Sequence, residues 1–243
     1  MNTWKSAHHL AGLEIRASIW QLILFIPLIS LLYSLFFTGT MSNYLNQSGG
    51  SFMFDVMFLL IISIAPIWLR AKFFQVQKIN DEFWASPTLI LQHQLAISER
   101  AIARSRLISF VYLLIPFNIL IFTLTYVLSS HIRAFLTPIE YVIFAISWML
   151  IGLGVGFIFP ASDVGDYINR SSIARGIVLL FGGFFIVTVG LFMILNGGII
   201  YSSMIFVKKY SLLALLISII FVCLSALYWQ RYMIQAMRKL DYF

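Results

Sequence analysis

Two carboxylates, Asp55 and Glu140, each stand about one helical turn inside the end of a long apolar run. An acid placed so shallowly reaches interfacial water at far lower cost than at a bilayer centre. The pair has the chemistry for a proton relay, and its depth fits a solvated mouth better. Asn118 sits deeper in another apolar run, where a side-chain amide bonds a neighbouring helix. His8, His9, His93 and His131 are scattered over three segments, and Cys223 is the single cysteine, so neither a shared metal site nor an intrachain disulfide is indicated. The chain contains no Gly-Lys dipeptide and hence no phosphate loop, and it lacks H-E-x-x-H and G-x-S-x-G. It reads as non-catalytic, with no cofactor of its own.

The spacing that points to a task lies in residues 71–107. Ser86 followed by Pro87 is a helix-start signal, with serine as N-cap and proline at the first position, where its missing N–H costs nothing. A short helix is expected from Pro87 to about Leu95. Ser98 then caps a second helix that opens on Glu99, an acid at the positive end of the dipole. This helix carries Arg100, Arg104 and Arg106 before running into an apolar stretch. The expected geometry is a short helix across a membrane face, tied stiffly to two spans.

The elements that hold these residues are set by hydropathy. Hydrophobic residues make up 61% of the 243 positions and charged residues 10%, and the mean hydropathy is +0.94, so polar surface is too scarce to cover a soluble globule. Six stretches approach the roughly 20 residues needed to cross a hydrocarbon core: 18–38, 52–69, 108–129, 136–160, 176–198 and 211–230. No alternating strand pattern is present, and the fold class expected is an all-α bundle of six transmembrane helices. Gly152 and Gly156 form a small-xxx-small pair, and Gly182, Gly183 and Gly190 a second small-residue face, both read as helix-packing seams rather than pore lining. Pro27 and Pro116 fall inside spans and can kink them. Residues 196–210 stay largely apolar but are too short to cross, so they should lie in the outer interface as a re-entrant segment.

Orientation follows from the basic residues. With both termini in the cytosol, the inner segments collect Lys5, Arg16, Arg70, Lys72, Lys78, Arg100, Arg104, Arg106, Arg170, Arg175, Arg231, Arg238 and Lys239. Only Arg133, Lys208 and Lys209 fall outside, an asymmetry that places the amino and carboxyl ends inside. The same distribution accounts for the net charge of +7 by attraction to anionic membrane lipids, without nucleic-acid binding. The organisation expected is an interfacial helix over 1–17, a membrane domain over 18–230 and a cytosolic tail over 231–243. The first apolar run is full length with no small-residue cleavage site, so it is expected to stay as a span.

This order of parts resembles the membrane (permease) subunit of type-2 ABC exporters. Many of these carry, shortly before the third span, a Leu-Pro-(Ile/Val)-Ser stretch followed by a basic helix. Leu95, Ile97, Ser98, Arg100 and Arg106 match it, with Ala96 in place of the proline. The resemblance implies that 71–107 is a coupling segment resting on a separate cytosolic ATP-binding subunit, present in two copies and carrying ATP and Mg. It also implies a second permease chain, as homodimer or heterodimer, around a translocation path. Glu82, Trp84, Ser86, Pro87, Gln92, Ser98, Glu99 and Arg100 are the residues it assigns to the ATPase-facing surface. Asp55, Asn118, Glu140, Gly152 and Gly156 are the candidates for the path or for helix packing. An apolar path without deep charge suits an amphipathic or hydrophobic cargo such as a peptide, antibiotic or lipid-like molecule. An ion-gradient-driven transporter and a non-transporting membrane scaffold stay open as alternatives.

Overall fold

The computed structural model describes residues 3–46, 52–79, 83–95, 97–167, 189–190 and 198–240. The span expected at 176–198, with Gly182 and Gly183, lies for the most part outside these residues, as does Glu82. Among the described residues, five helices are long and apolar enough to cross a membrane: Thr3–Met41, Phe52–Leu69, Glu99–Leu128, Pro138–Ser162 and Ile199–Lys239. The chain is thus a mostly helical multi-pass membrane protein.

Helix α1 (Thr3–Asn46) runs through Pro27 and shows no break at residue 17, where an interfacial helix was expected to end. Residues His9 to Ala17 include only one helix breaker, Gly12, and nothing stops the helix there. Helix α2 (Phe52–Ile64) finishes in a 3₁₀ stretch, Ala65–Leu69, with a proline at its first positions. After a 3₁₀ turn at Lys72–Phe74 come β1 (Gln77–Lys78) and β2 (Phe83–Ala85), then α3 (Pro87–Gln94) and α4 (Glu99–Leu128). A short α5 (Ser130–Phe135) leads to α6 (Pro138–Gly156), α7 (Ile158–Ser162) and β3 (Asp166–Tyr167), and α8 (Ile199–Lys239) closes the described chain.

The described chain is mostly helical, as an all-α membrane protein is, and carries one small non-helical element. Strands β1, β2 and β3 form a small antiparallel sheet in that order, with Lys78 opposite Trp84 and Trp84 opposite Asp166. Strands of two or three residues are too short to carry a readable alternation. The sheet joins the 71–107 island to the chain just beyond α7. Gly165, at φ 89°, makes the turn into β3, and a Cβ there would collide with the Trp84 carbonyl.

Helix α1 packs along α4, and α6 along α8. Thr3 to Ser34 spans roughly 46 Å of helix, whereas their partners on α4, Arg104 and Ile121, are separated by roughly 25 Å. Helix α1 therefore does not follow α4 residue for residue between these two contacts. The core is largely aromatic: Phe58 meets Phe37 at 5.2 Å and Trp148 edge-on at 5.3 Å, and Phe122 adjoins both Phe58 and Phe144. A second cluster, around Leu89, Ile102, Leu114, Leu153 and Met233, lies below α3. On α8, Leu212, Leu216, Ile220, Leu224 and Leu227 face outward, as residues solvated by lipid do.

Candidate functional site

Four charged side chains with no local relation in the sequence meet at one end of the bundle. Glu14 comes from α1, Arg70 from the end of the 3₁₀ stretch after α2, Arg106 from the second turn of α4, and Asp163 from the end of α7. Their exposures are 2%, 6%, 1% and 0%. Arg70 grips Asp163 with both terminal nitrogens, Nη1 to Oδ2 at 2.7 Å and Nη2 to Oδ1 at 3.1 Å, and its Nη1 also reaches Glu14 Oε1 at 3.3 Å. Arg106 Nη1 lies 3.5 Å from Glu14 Oε2 and 3.8 Å from Asp163 Oδ2. Each carboxylate therefore bridges both guanidiniums, and the cluster is neutral.

Burial works against the Arg70 charge, yet the ionised Asp163 and Glu14 outweigh it and hold the guanidinium above the ordinary arginine range. A two-pronged arginine–carboxylate fork is the arrangement that best offsets desolvation. Arg106 is less well served. Its Nε and Nη1 make no hydrogen bond among the described residues, and its well-formed bond runs from Nη2 to Thr88 Oγ1 at 2.9 Å, with Ser86 Oγ at 3.4 Å. Its guanidinium also lies 5.7 Å from the Phe74 ring.

Through Arg106 the cluster holds α3. Ser86 is fully buried, its N–H donates to the Asp163 carbonyl at 3.1 Å, and its hydroxyl pairs with Thr88 Oγ1 at 3.0 Å. Pro87 opens α3 as expected, but Ser86 makes no side-chain cap and is unavailable to any partner surface. Of the arginines on α4, Arg106 is inside the cluster, and Arg104 donates to Thr3 Oγ1 at 3.0 Å and stacks 4.4 Å over Trp4.

The remaining island residues divide by exposure. Trp84, Pro87 and Gln92 are half-buried, Ser98 and Arg100 are exposed, and Glu99 bonds Arg238 at 2.7 Å across to the end of α8. Two residues that were not among the expected ATPase-facing set stand out on α3: Leu91 and Leu95, one turn apart, are 54% and 65% exposed. More large aliphatics than a short helix can bury on one face are the available signal for them.

At the opposite end of the bundle, Asp55 and Glu140 do not form a pair. Asp55 is fully buried and accepts the N–H groups of Ile199 at 2.7 Å and Ile200 at 3.3 Å, so it caps the start of α8 from another helix. Glu140 is exposed and closes a capping box on α6, its carboxylate accepting the Thr137 N–H at 2.8 Å while Thr137 Oγ1 accepts the Glu140 N–H. Both acids neutralise helix N-termini, which leaves no relay geometry. The T-x-x-E spacing was the legible signal for Glu140.

Asn118 Nδ2 donates to the Ile62 carbonyl at 3.0 Å, joining α4 to α2. Gly152 faces that same carbonyl and Gly156 faces Ser63 O and Phe110, so the pair lies where α6 meets α2 and α4. The apolar excursion after residue 196 is helical from Ile199 and bends at Tyr210 (φ −139°, ψ 55°), where it turns into the long lipid-facing part of α8. Ile200, Met204 and Val207 are buried in the aromatic core, and Trp148 Nε1 donates to Ser203 Oγ at 3.0 Å.

No family model matches the chain, and no curated protein or solved structure is similar to it.

Proposed function

We propose that the chain is the permease subunit of a type-2 ABC exporter, moving an amphipathic or hydrophobic substrate with ATP hydrolysed, together with Mg, on a separate cytosolic subunit. The observation that carries this reading is the seating of α3. A short helix outside the spans, with Leu91 and Leu95 exposed, is bonded through Ser86, Thr88 and Arg106 to a charge cluster that touches α1, the end of α2, α4 and the end of α7. A push on α3 from below reaches four helices without passing through a flexible loop. Two such chains, identical or sister, would enclose the path, each with one ATPase subunit beneath.

The topology belonging to this reading has six spans and both ends in the cytosol. What supports a sixth crossing over 176–198 is that Tyr167 pairs with Phe83 at the cluster end, whereas Gly198 precedes Ile199 at the Asp55 end. The cluster end also holds Arg100, Arg104, Arg238 and Lys239, which the positive-inside rule places in the cytosol. In a Cys223→Ser background, an impermeant thiol reagent added to intact cells should label Lys209→Cys and leave Gln94→Cys unlabelled. The reverse pattern overturns the orientation.

The function itself is tested by purifying the tagged chain from its native membranes in mild detergent. An ATP-binding chain with a phosphate loop should accompany it. Leu91→Glu and Trp84→Ala should each cut recovery of that chain about tenfold, the 1.4 kcal/mol expected of an interface anchor, at unchanged permease abundance. A wild-type preparation with no associated ATPase overturns the reading. It would leave an ion-gradient transporter as the better account, since four buried ionisable groups are also what such a protein needs.

A further inference from the structure

Where the first turns of α1 meet α4, a polar corner forms that is separate from the charge cluster and from α3. The Arg104 guanidinium lies 4.4 Å over the Trp4 ring, and its Nη1 donates to Thr3 Oγ1 at 3.0 Å. One turn along α1, His8 Nδ1 is 3.1 Å from the Tyr112 hydroxyl, with the His8 ring 6.3 Å from that of Trp4 and 6.4 Å from that of Tyr112. These contacts fix Arg104 in place but supply no negative charge. Its Nε and Nη2 have no hydrogen-bond partner among the described residues, and neither Arg104 nor the exposed Lys5 beside Trp4 has an acidic partner among them. The only carboxylates in α1 and α4, Glu14 and Glu99, are taken by the charge cluster and by Arg238. The corner is therefore cationic and already formed, with the exposed rings of Trp4 and Tyr112 as its walls.

The corner opens onto the lipid-facing side of the bundle. Tyr112, Pro116, Ile119, Thr123 and Val127 are exposed and follow one another at steps of three or four residues, so they form one outward row along the span of α4. Tyr112 is both the first member of that row and a wall of the corner. Acyl chains solvate such a row in any bilayer, and the headgroup of a lipid lying along it falls at the Tyr112 end, beside Arg104. Trp and Tyr are also the side chains that membranes gather at headgroup level. A planar guanidinium with donors to spare suits a phosphate. A zwitterionic headgroup fits less well, because its ammonium meets no free carboxylate and the Trp4 ring is already covered by Arg104.

We propose that α1 and α4 hold one anionic phospholipid, with its phosphate on Arg104 and Lys5 and a chain along Tyr112 and Ile119. The site needs only a chain that crosses the membrane and does not rest on the permease reading. Helix α1 also supplies Glu14 to the charge cluster, so a lipid bound here steadies the helix on which the cluster depends. The anionic lipid content of the membrane thereby sets how firmly the start of α1 is held against α4.

Native mass spectrometry of the detergent-purified chain, titrated with phosphatidylglycerol or with phosphatidylcholine of the same chains, reads the site. One phosphatidylglycerol should bind about tenfold more tightly than phosphatidylcholine, since each basic residue at a membrane surface contributes a factor of about five. Lys5→Gln combined with Arg104→Gln should erase that preference. Arg100→Gln combined with Lys239→Gln removes the same charge at the same end of the bundle and should leave it intact. A second measurement needs no substitution. In native membranes, phosphatidylglycerol carrying a diazirine near the glycerol should label the peptides that contain His8 and Tyr112 in preference to α8, and the phosphatidylcholine probe should show no such preference. Equal binding of the two lipids, equal loss of preference in both double variants, or displacement of the lipid by inorganic phosphate overturns the assignment. So does labelling that succeeds on α8 and fails at His8 and Tyr112, the result expected if a protein covers the corner.

Discussion

Asp163→Leu should lower the thermal midpoint of the detergent-solubilised protein by roughly 10–15 °C. Asp163 is the carboxylate that both guanidiniums approach, and it takes the bidentate grip of Arg70. Without it two arginines share Glu14 in a pocket closed to water, and an uncompensated buried charge costs about 3–5 kcal/mol. For a chain of this length each kcal/mol is worth about 2–4 °C. Combining Asp163→Leu with Arg106→Met removes one charge of each sign and leaves Arg70 beside Glu14. The double variant should regain more than half of the lost stability, a coupling of about 2 kcal/mol or more between two residues in one network. A single variant within about 2 °C of wild type, or a double variant as poor as the sum of its parts, would show that the cluster is not an energetic unit.

The same pair of variants separates a structural from a coupling role. Arg106→Met also removes the bonds to Thr88 and Ser86 that hold α3. On the proposed permease reading, the double variant should therefore keep its ATPase subunit, held through Leu91 and Leu95, while transport is lost. Full transport in a well-folded double variant would mean that α3 does not act through the cluster.

How much of this was open to a reader of the sequence depended on whether a residue's partner was local. The restart at Glu99 and the opening of α3 at Pro87 were legible because proline and first-turn signals act within one turn, although neither Ser86 nor Ser98 makes the side-chain cap expected of it. The span at 108–129 was legible because a long apolar run has few alternatives. Glu14, Arg70, Arg106 and Asp163 carry no such signal. Each is an ordinary charge near the inner end of a span, and the partners Glu14 and Asp163 are separated by most of the chain. Arg70 and Arg106 were therefore counted for orientation, with no partner assigned to either.

Asp55 shows the same limit at the opposite end. It was expected to reach interfacial water, yet it is buried, because its role depends on where Ile199 returns, and no periodicity encodes that. The sheet was hidden for a different reason: β1 and β3 are two residues each, too short for a side-chain pattern to show, and β3 reaches β2 only through the turn at Gly165.

The small-residue seam gives the last prediction, because the three glycines of α6 meet different kinds of neighbour. A Cβ on Gly152 would stand 2.8 Å from the Ile62 carbonyl oxygen, and one on Gly156 would stand 2.7 Å from Ser63 O, both backbone atoms of α2. Backbone cannot swing aside, so even alanine must push α6 away from α2. Gly152→Ala and Gly156→Ala should each cost about 1–3 kcal/mol as overpacking. A Cβ on Gly154 would meet only the Phe221 ring, at 2.5 Å, which can rotate toward lipid. Gly154→Ala should fall within about 0.5 kcal/mol of wild type. Asn118 makes the seam testable as a unit, since it donates to the same Ile62 carbonyl that Gly152 faces. Asn118→Leu alone should cost about 0.6–1.7 kcal/mol, the range for hydrogen bonds between membrane helices. Once Gly152→Ala has displaced that carbonyl the bond is already broken, so the double variant should cost less than the two singles together. The measurement is thermal unfolding of the five variants and the wild type in one detergent. Strict additivity, or a Gly154→Ala loss as large as that of Gly152→Ala, would place the close approach of α6 somewhere other than this face.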